Sequence, residues 1–104
     1  MEPIPDIHEI AELQRKVAEV SATLRLLANE KRLLVLCELA QAGEMSVGAL
    51  AGSVGLSQSA LSQHLSLLRA DGLVATRRDG QTLHYRISDP RISDLLAALR
   101  SIYC

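Results

Sequence analysis

The chain has 104 residues, enough for one domain with a buried core and too few for two. Apolar residues make up 48% and charged residues 22%, which excludes a disordered chain, and no apolar run reaches the roughly 18–20 residues of a membrane span. Aromatic residues are only 2%, two Tyr with no Trp or Phe, which argues against a single-strand nucleic-acid binder dependent on stacking platforms. The net charge of −1 hides a gradient. Residues 1–45 carry five basic groups against eight acidic ones, whereas residues 46–88 carry Arg69, Arg77, Arg78 and Arg86 against Asp71 and Asp79. A polyanionic partner is therefore expected at the middle of the chain. The start, Met1-Glu2-Pro3-Ile4-Pro5-Asp6, holds acid where a signal peptide needs base, so a cytoplasmic protein is expected.

From Ile10, the apolar residues Leu13, Val17, Val20, Leu24 and Leu27 follow at spacings of 3, 4, 3, 4 and 3, one stripe of a long helix starting near Asp6. Such a stripe packs either on the chain's own core or on a partner subunit, and the residues leave both open. Asn29 caps a second helix to about Gln41, stopped by Gly43. Leu33, Leu34, Val35, Leu36, Cys37, Leu39 and Ala40 make that helix apolar nearly all round, so it is expected as the buried central element. Ser46 caps a short third helix to Val54, with Gly55 in the turn, and Ser57 caps a fourth to about Ala70, closed by Asp71-Gly72. Residues 73–78 and 81–87 read as two strands around Asp79-Gly80, a favoured hairpin turn. Ser88 or Asp89 caps a last helix with Pro90 in its first turn. Its Ile92, Leu95, Leu96, Leu99, Ile102 and Tyr103 are too many for a lone surface helix, which assigns it to an interface with the opening helix of another subunit. The expected fold is a single domain over residues 1–104, mainly α with a β-hairpin, in the order α-α-α-α-β-β-α.

The stretch from Val47 to Leu65 is the informative one. A helix-turn-helix needs a small residue where its helices touch, a glycine in the turn and an apolar anchor early in the second helix. Ala51, Gly55 and Leu61 stand at those positions, and Leu50, Val54 and Leu56 fill the remaining core slots. The hairpin that follows directly makes this a winged helix-turn-helix, with the reading unit at about 46–70 and the wing at about 73–87. At roughly 100° per residue from Leu61, Leu65 falls near 40° and Leu68 near −20°, the core stripe. Ser62, Ser66, Ser59 and Gln63 fall near 100°, 140°, 160° and 200°, one face opposite the core, uncharged and short. Such groups approach base edges closely: Gln can bond adenine, and Ser either a base or a phosphate. Ser57 and Gln58, at the helix N-terminus, suit a phosphate. At the hairpin, Arg77 and Arg78 are either solvated charge or contacts to phosphate and minor groove, and the neighbouring helix favours contact. His64 lies at the edge of the core stripe, packed or facing phosphate, while His8 and His84 are isolated.

Together the segments Ala28-Asn29-Glu30-Lys31-Arg32-Leu33, Ser46-Val47-Gly48-Ala49-Leu50, Leu56-Ser57-Gln58-Ser59-Ala60-Leu61-Ser62-Gln63-His64-Leu65 and Leu67-Leu68-Arg69-Ala70-Asp71-Gly72-Leu73-Val74 resemble the ArsR/SmtB family of winged-helix repressors. The resemblance spans about residues 20–104. It implies a homodimer built from the helices at about 6–27 and 90–104, binding palindromic double-stranded operator DNA and released by an inducer.

Many members of that family sense metals. Their thiolate site places two Cys in a Glu-x-Cys-Val-Cys-x-Leu pattern, where this chain has Glu44-Met45-Ser46-Val47-Gly48-Ala49-Leu50, with Ser46 and Gly48 in place of sulfur. Their other common site uses Asp and His on the last helix, where residues 90–104 hold Asp94 but no His. Zinc and thiophilic metals take about four N or S ligands, so no metal and no cofactor is expected.

Cys37 and Cys104 are the chain's two cysteines. Alone, Cys37 reads as a small buried hydrophobe. Yet Arg32-Leu33-Leu34-Val35-Leu36-Cys37-Glu38-Leu39 and Leu99-Arg100-Ser101-Ile102-Tyr103-Cys104 resemble the SqrR/BigR/HlyU branch, whose cysteine pair is a dithiol switch for persulfides and other reactive sulfur or oxidants. The resemblance implies that a di-, tri- or tetrasulfide bridge between Cys37 and Cys104 releases the operator. NolR-type regulators share the DNA-binding motif but lack this pair, so the two cysteines decide between them. A metal site of another kind, a repressor or anti-repressor that no thiol controls, and a winged helix used for protein–protein contact stay as alternatives. No catalytic motif indicates an enzyme.

Overall fold

A computed structural model describes residues 6–104; the Met1–Pro5 segment read above lies outside the described residues. The elements are α1 (Ile7–Arg15), α2 (Val17–Leu27), α3 (Glu30–Ala42), β1 (Met45–Ser46), α4 (Val47–Val54), α5 (Gln58–Ala70), β2 (Val74–Asp79), β3 (Thr82–Ile87) and α6 (Pro90–Tyr103). The winged helix-turn-helix is present, with three differences from the sequence expectation.

First, the long opening helix is two helices. The turn tightens at Lys16, whose N–H donates to the Leu13 carbonyl at 3.0 Å, and its φ of −107° and ψ of 9° leave the helical region. No glycine or proline marks the break. Of the two settings open for the apolar stripe, the chain's own core takes only Leu27 fully and Val20 in part, while Ile10, Leu13, Val17 and Leu24 stay exposed.

Second, the sheet has three strands in the order β1-β3-β2, all antiparallel. Two-residue β1 places Met45 opposite Tyr85 and Ser46 opposite His84. Ser46 then turns at once into α4, its hydroxyl accepting from the Ala49 N–H at 3.2 Å as the helix cap. The hairpin pairs Asp79 with Thr82, so its two loop residues are Gly80 and Gln81 rather than Asp79 and Gly80. Gly80 has φ +61°, at the first central position where a type II′ turn needs glycine.

Third, α3 is buried on one side only. Val35, Leu36 and Leu39 are in the core, but Leu34, Cys37 and Ala40 are exposed and Leu33 is half-buried. A helix apolar nearly all round should be enclosed; here its second face opens onto a groove.

The core itself joins these three α3 residues to Leu50, Ala51 and Val54 of α4 and to Leu61, Leu65 and Leu68 of α5. Leu73 just before β2, Val74 and Tyr85 of the sheet and Ile92 of α6 close it. Between α4 and α5, Gly55 adopts φ +70° as the left-handed helix terminator, and the Leu56 N–H donates to the Ala51 carbonyl at 3.0 Å. Lys31 reaches from α3 to the same turn, its Nζ donating to the Val54 carbonyl at 2.7 Å.

Asp89 ties α6 down. Its carboxylate accepts from the Arg91 N–H at 3.0 Å and from the Arg91 guanidinium, which also reaches Glu19 of α2 at 2.8 Å. The hydrogen bond from Arg91 holds the Asp89 carboxyl below the ordinary carboxylate value, against some desolvation. Replacing Asp89 by Ala should lower stability at neutral pH by about 1 kcal/mol, the usual worth of a helix N-cap. A carboxyl held low in the folded state contributes fully above its unfolded value, about 3.9, and loses that contribution as pH falls through the folded one. The gap between wild type and Asp89→Ala in urea denaturation should therefore narrow below about pH 4.

Candidate nucleic-acid interface and thiol groove

Helix α5 sorts its side chains into two faces. Leu61, Leu65 and Leu68 are fully buried, while Ser59, Ser62, Gln63 and Ser66 are all exposed on the opposite side. The side chains expected to read DNA thus form one exposed strip of small polar groups. Ser57 is exposed, and its hydroxyl accepts from the Ala60 N–H at 3.1 Å, so it is engaged as the α5 cap. Gln58 is exposed as well, its amide lying beside α4, where its Nε2 stands 3.7 Å from the place a Cβ on Gly48 would take.

His64 lies beside Arg32. It is half-buried, with Nδ1 3.4 Å from the Arg32 Nη1, and Arg32 Nε donates to the Leu26 carbonyl at 2.7 Å. Arg32 thus joins the end of α2 to the middle of α5, a link that no local pattern announces.

The wing separates its two arginines. Arg78 is exposed on the strand end, paired across the hairpin with Leu83. Arg77 is exposed too, but its guanidinium grips Glu44 with two hydrogen bonds, Nη2 to Oε1 at 2.6 Å and Nε to Oε2 at 3.2 Å. That bond pulls the Glu44 carboxyl below its ordinary range and raises the already high Arg77 value. Sequence reasoning did not single out Glu44, because its tie to Arg77 depends on β1 docking beside β3.

Cys37 and Cys104 are both free and exposed. They line one groove of about 970 Å³ between α3 and α6, with Leu33, Leu96, Leu99 and Tyr103 among its walls. Sixty-seven positions apart in sequence, the two thiols open onto the same space because α3 leaves its Leu33–Cys37–Ala40 face uncovered. Among the described residues no group of three or more His, Cys, Asp and Glu side chains is placed to hold a metal ion, and no helix is long and apolar enough to cross a membrane.

A turn-linked pair of helices on an aliphatic core, the second presenting an exposed polar face and followed by a hairpin wing, defines a winged helix-turn-helix regulator of the DNA-binding class. Residues 29–76 match the family model described as bacterial regulatory protein, arsR family. The chain is 52% identical to the nodulation protein NolR of Rhizobium meliloti, over 99% of this chain and 80% of that one. It superposes on the reduced form of HlyU from Vibrio cholerae with a TM-score of 0.82 and 44% identity, covering 89% of this chain and 97% of the other. With the transcriptional repressor BigR from Xylella fastidiosa the TM-score is 0.85 at 36% identity, over 90% and 95% of the two chains. The chain belongs to the arsR family of bacterial transcriptional regulators.

Proposed function

We propose that this regulator represses transcription in the cytoplasm by binding palindromic double-stranded operator DNA as a homodimer, and that it lets go when sulfur bridges Cys37 and Cys104. The observation that carries the thiol half of this reading is the shared groove: two free, exposed cysteines from helices distant in sequence line one cavity. Similarity to the reduced form of HlyU and to the repressor BigR supports the same reading. On the DNA side, Ser59, Ser62, Gln63 and Ser66 offer hydrogen bonds to base edges, Ser57 and Gln58 flank a phosphate at the α5 N-terminus, and Arg77 and Arg78 serve the backbone from the wing.

The chemistry balances with a persulfide as the only co-reactant. One cysteine thiolate attacks the terminal sulfur of R–S–SH and expels R–S⁻, leaving Cys–S–SH. The second thiolate attacks the carbon-bound sulfur of that group, forming Cys–S–S–Cys and expelling HS⁻. If both cysteines have gained sulfur, the same step gives Cys–S–S–S–Cys. A direct disulfide needs Cα atoms within about 7 Å, and an added sulfur relaxes that limit. Bridging fastens the end of α6 to α3. Because two recognition helices must stand about 34–36 Å apart to enter successive major grooves, a modest reorientation at a dimer interface is enough to lose the operator.

The experiment is an operator selected with reduced protein, then titrated before and after treatment with an organic persulfide. Treated wild type should lose affinity, and mass spectrometry should find a Cys37–Cys104 link. Cys37→Ser and Cys104→Ser should each bind the operator as reduced wild type does and ignore the persulfide. Should both variants still respond, the thiol reading fails and operator binding stands. A second reading, a regulator that no thiol controls, is favoured by the 52% identity to NolR, since regulators of that type resemble this chain in the DNA-binding motif without the cysteine pair. It expects wild type to hold its operator through persulfide treatment.

A further inference from the structure

Three antiparallel strands place Ser46, His84 and Arg77 in one cross-sheet row, since His84 pairs with Ser46 on one side and Arg77 on the other. Glu44, just before β1, reaches along this row. Its Oε1 lies 2.6 Å from Arg77 Nη2 and 3.9 Å from His84 Nδ1. The positive charge of Arg86 on β3 also acts on the Glu44 carboxylate. Glu44 is thus the anion hydrogen-bonded to Arg77 of the wing, while Asp79 acts on the same guanidinium more weakly through space. The Arg77–Glu44 pair lies at the surface, the two side chains 50% and 34% exposed. Ion pairs in that setting are worth little and exchange readily. Glu44 lies outside the core, and the α3 terminator is Gly43, at φ +83°.

A bidentate carboxylate–guanidinium pair has the same geometry as guanidinium–phosphate recognition. We infer that Glu44 occupies Arg77 in the place of a DNA phosphate, and so sets an upper limit on how tightly the wing holds DNA of any sequence. To take up a phosphate, Arg77 must leave Glu44; while it stays, the carboxylate cancels its charge and repels the backbone. The inference rests on the wing contacting DNA, as proposed above, and goes beyond it by giving a carboxylate outside the reading face control of the sequence-independent part of affinity.

The test is binding of a short duplex of mixed sequence across a salt series, which needs no knowledge of the operator. Glu44→Gln keeps the size and one hydrogen-bonding oxygen and removes the charge. It should bind several-fold more tightly than wild type at moderate salt. Its dependence of log K on log salt should steepen by about 0.9 for each wing that gains a phosphate contact, so by about 1.8 for the homodimer. Arg77→Met should weaken binding, and Glu44→Gln should bring no steepening when combined with it, because the gain runs through Arg77. A Glu44→Gln protein with unchanged or weaker binding and an unaltered slope overturns the inference while leaving DNA binding by the wild type intact. Wild type that binds no duplex at low salt overturns the DNA-binding reading and this inference together. Thermal unfolding of each variant checks that the wing is folded, and Glu44→Ala replaces Glu44→Gln if the latter is unstable.

Discussion

Leu61→Ala is expected to lower the unfolding free energy by about 2–5 kcal/mol, a large part of the roughly 5–15 kcal/mol that holds a domain together. Leu61 is fully buried where α5 begins to pack on α3 and α4, among Val35, Leu36, Leu50 and Leu65 of one continuous core. Truncation removes apolar contact and leaves a cavity that rigid neighbours fill only in part. DNA binding should weaken with it, because the same leucine fixes how far the serine and glutamine face stands out from the domain. Leu67 supplies the comparison on the same helix. It is 50% exposed, so Leu67→Ala should stay within about 0.5 kcal/mol of wild type. Urea denaturation of both, at one protein concentration to hold any association constant, decides the matter. Equal costs at the two positions would mean that α5 is not anchored through Leu61.

What the sequence made legible was local. Asn29, Ser46 and Ser57 read as helix caps, and each accepts from the backbone N–H three residues on, at 3.0, 3.2 and 3.1 Å. Rotation at the helical period separated Leu61, Leu65 and Leu68 from the serine face without error, because burial on one helix follows its own spacing. Gly55 and Gly80 mark turns through a backbone conformation that other residues resist. What escaped was set by partners distant in the chain. Glu44 and Arg77 are 33 positions apart and meet only because β1 docks against β3. An apolar count around α3 does not tell which neighbour covers each side, so it encloses Leu34 and Cys37, which are open. The break at Lys16 has no composition signal at all, since the chain there simply passes through one tightened turn. The thiol groove belongs to both groups: its two cysteines were identified through their positions in a family pattern, and their common space follows from the open side of α3.

The opening helices bear on the largest functional effect expected. The radius of gyration is 15.3 Å, against about 13 Å for a compact domain of 100 residues, and the longest dimension is 51 Å. None of the α1 side chains is buried, although Ile7, Ile10 and Leu13 lie along it, and Val17 and Leu24 continue the exposed stripe on α2. At the other end of the chain, Ile102 and Tyr103 of α6 are exposed as well. Apolar stripes of this extent are characteristic of association surfaces, and a heptad-regular spacing suits a second copy of the same helix pair. Replacing Leu13 and Val17 together by Glu should leave the isolated fold intact, because these side chains, 48% and 52% exposed, contribute nothing to its core. It should abolish the homodimer proposed above by setting two carboxylates per chain into its apolar seam, where each would be desolvated without a partner. A monomer grips one half-site alone and forfeits the gain from joining two, so operator affinity should fall by about 10²- to 10⁴-fold. Sedimentation would report the mass, circular dichroism the retained helix content, and titration of the selected operator the affinity. If the doubly substituted protein still sediments as a dimer, or binds the operator as a monomer with undiminished affinity, the two-fold arrangement is wrong. The bridge between Cys37 and Cys104 would then have to act on DNA binding within a single chain.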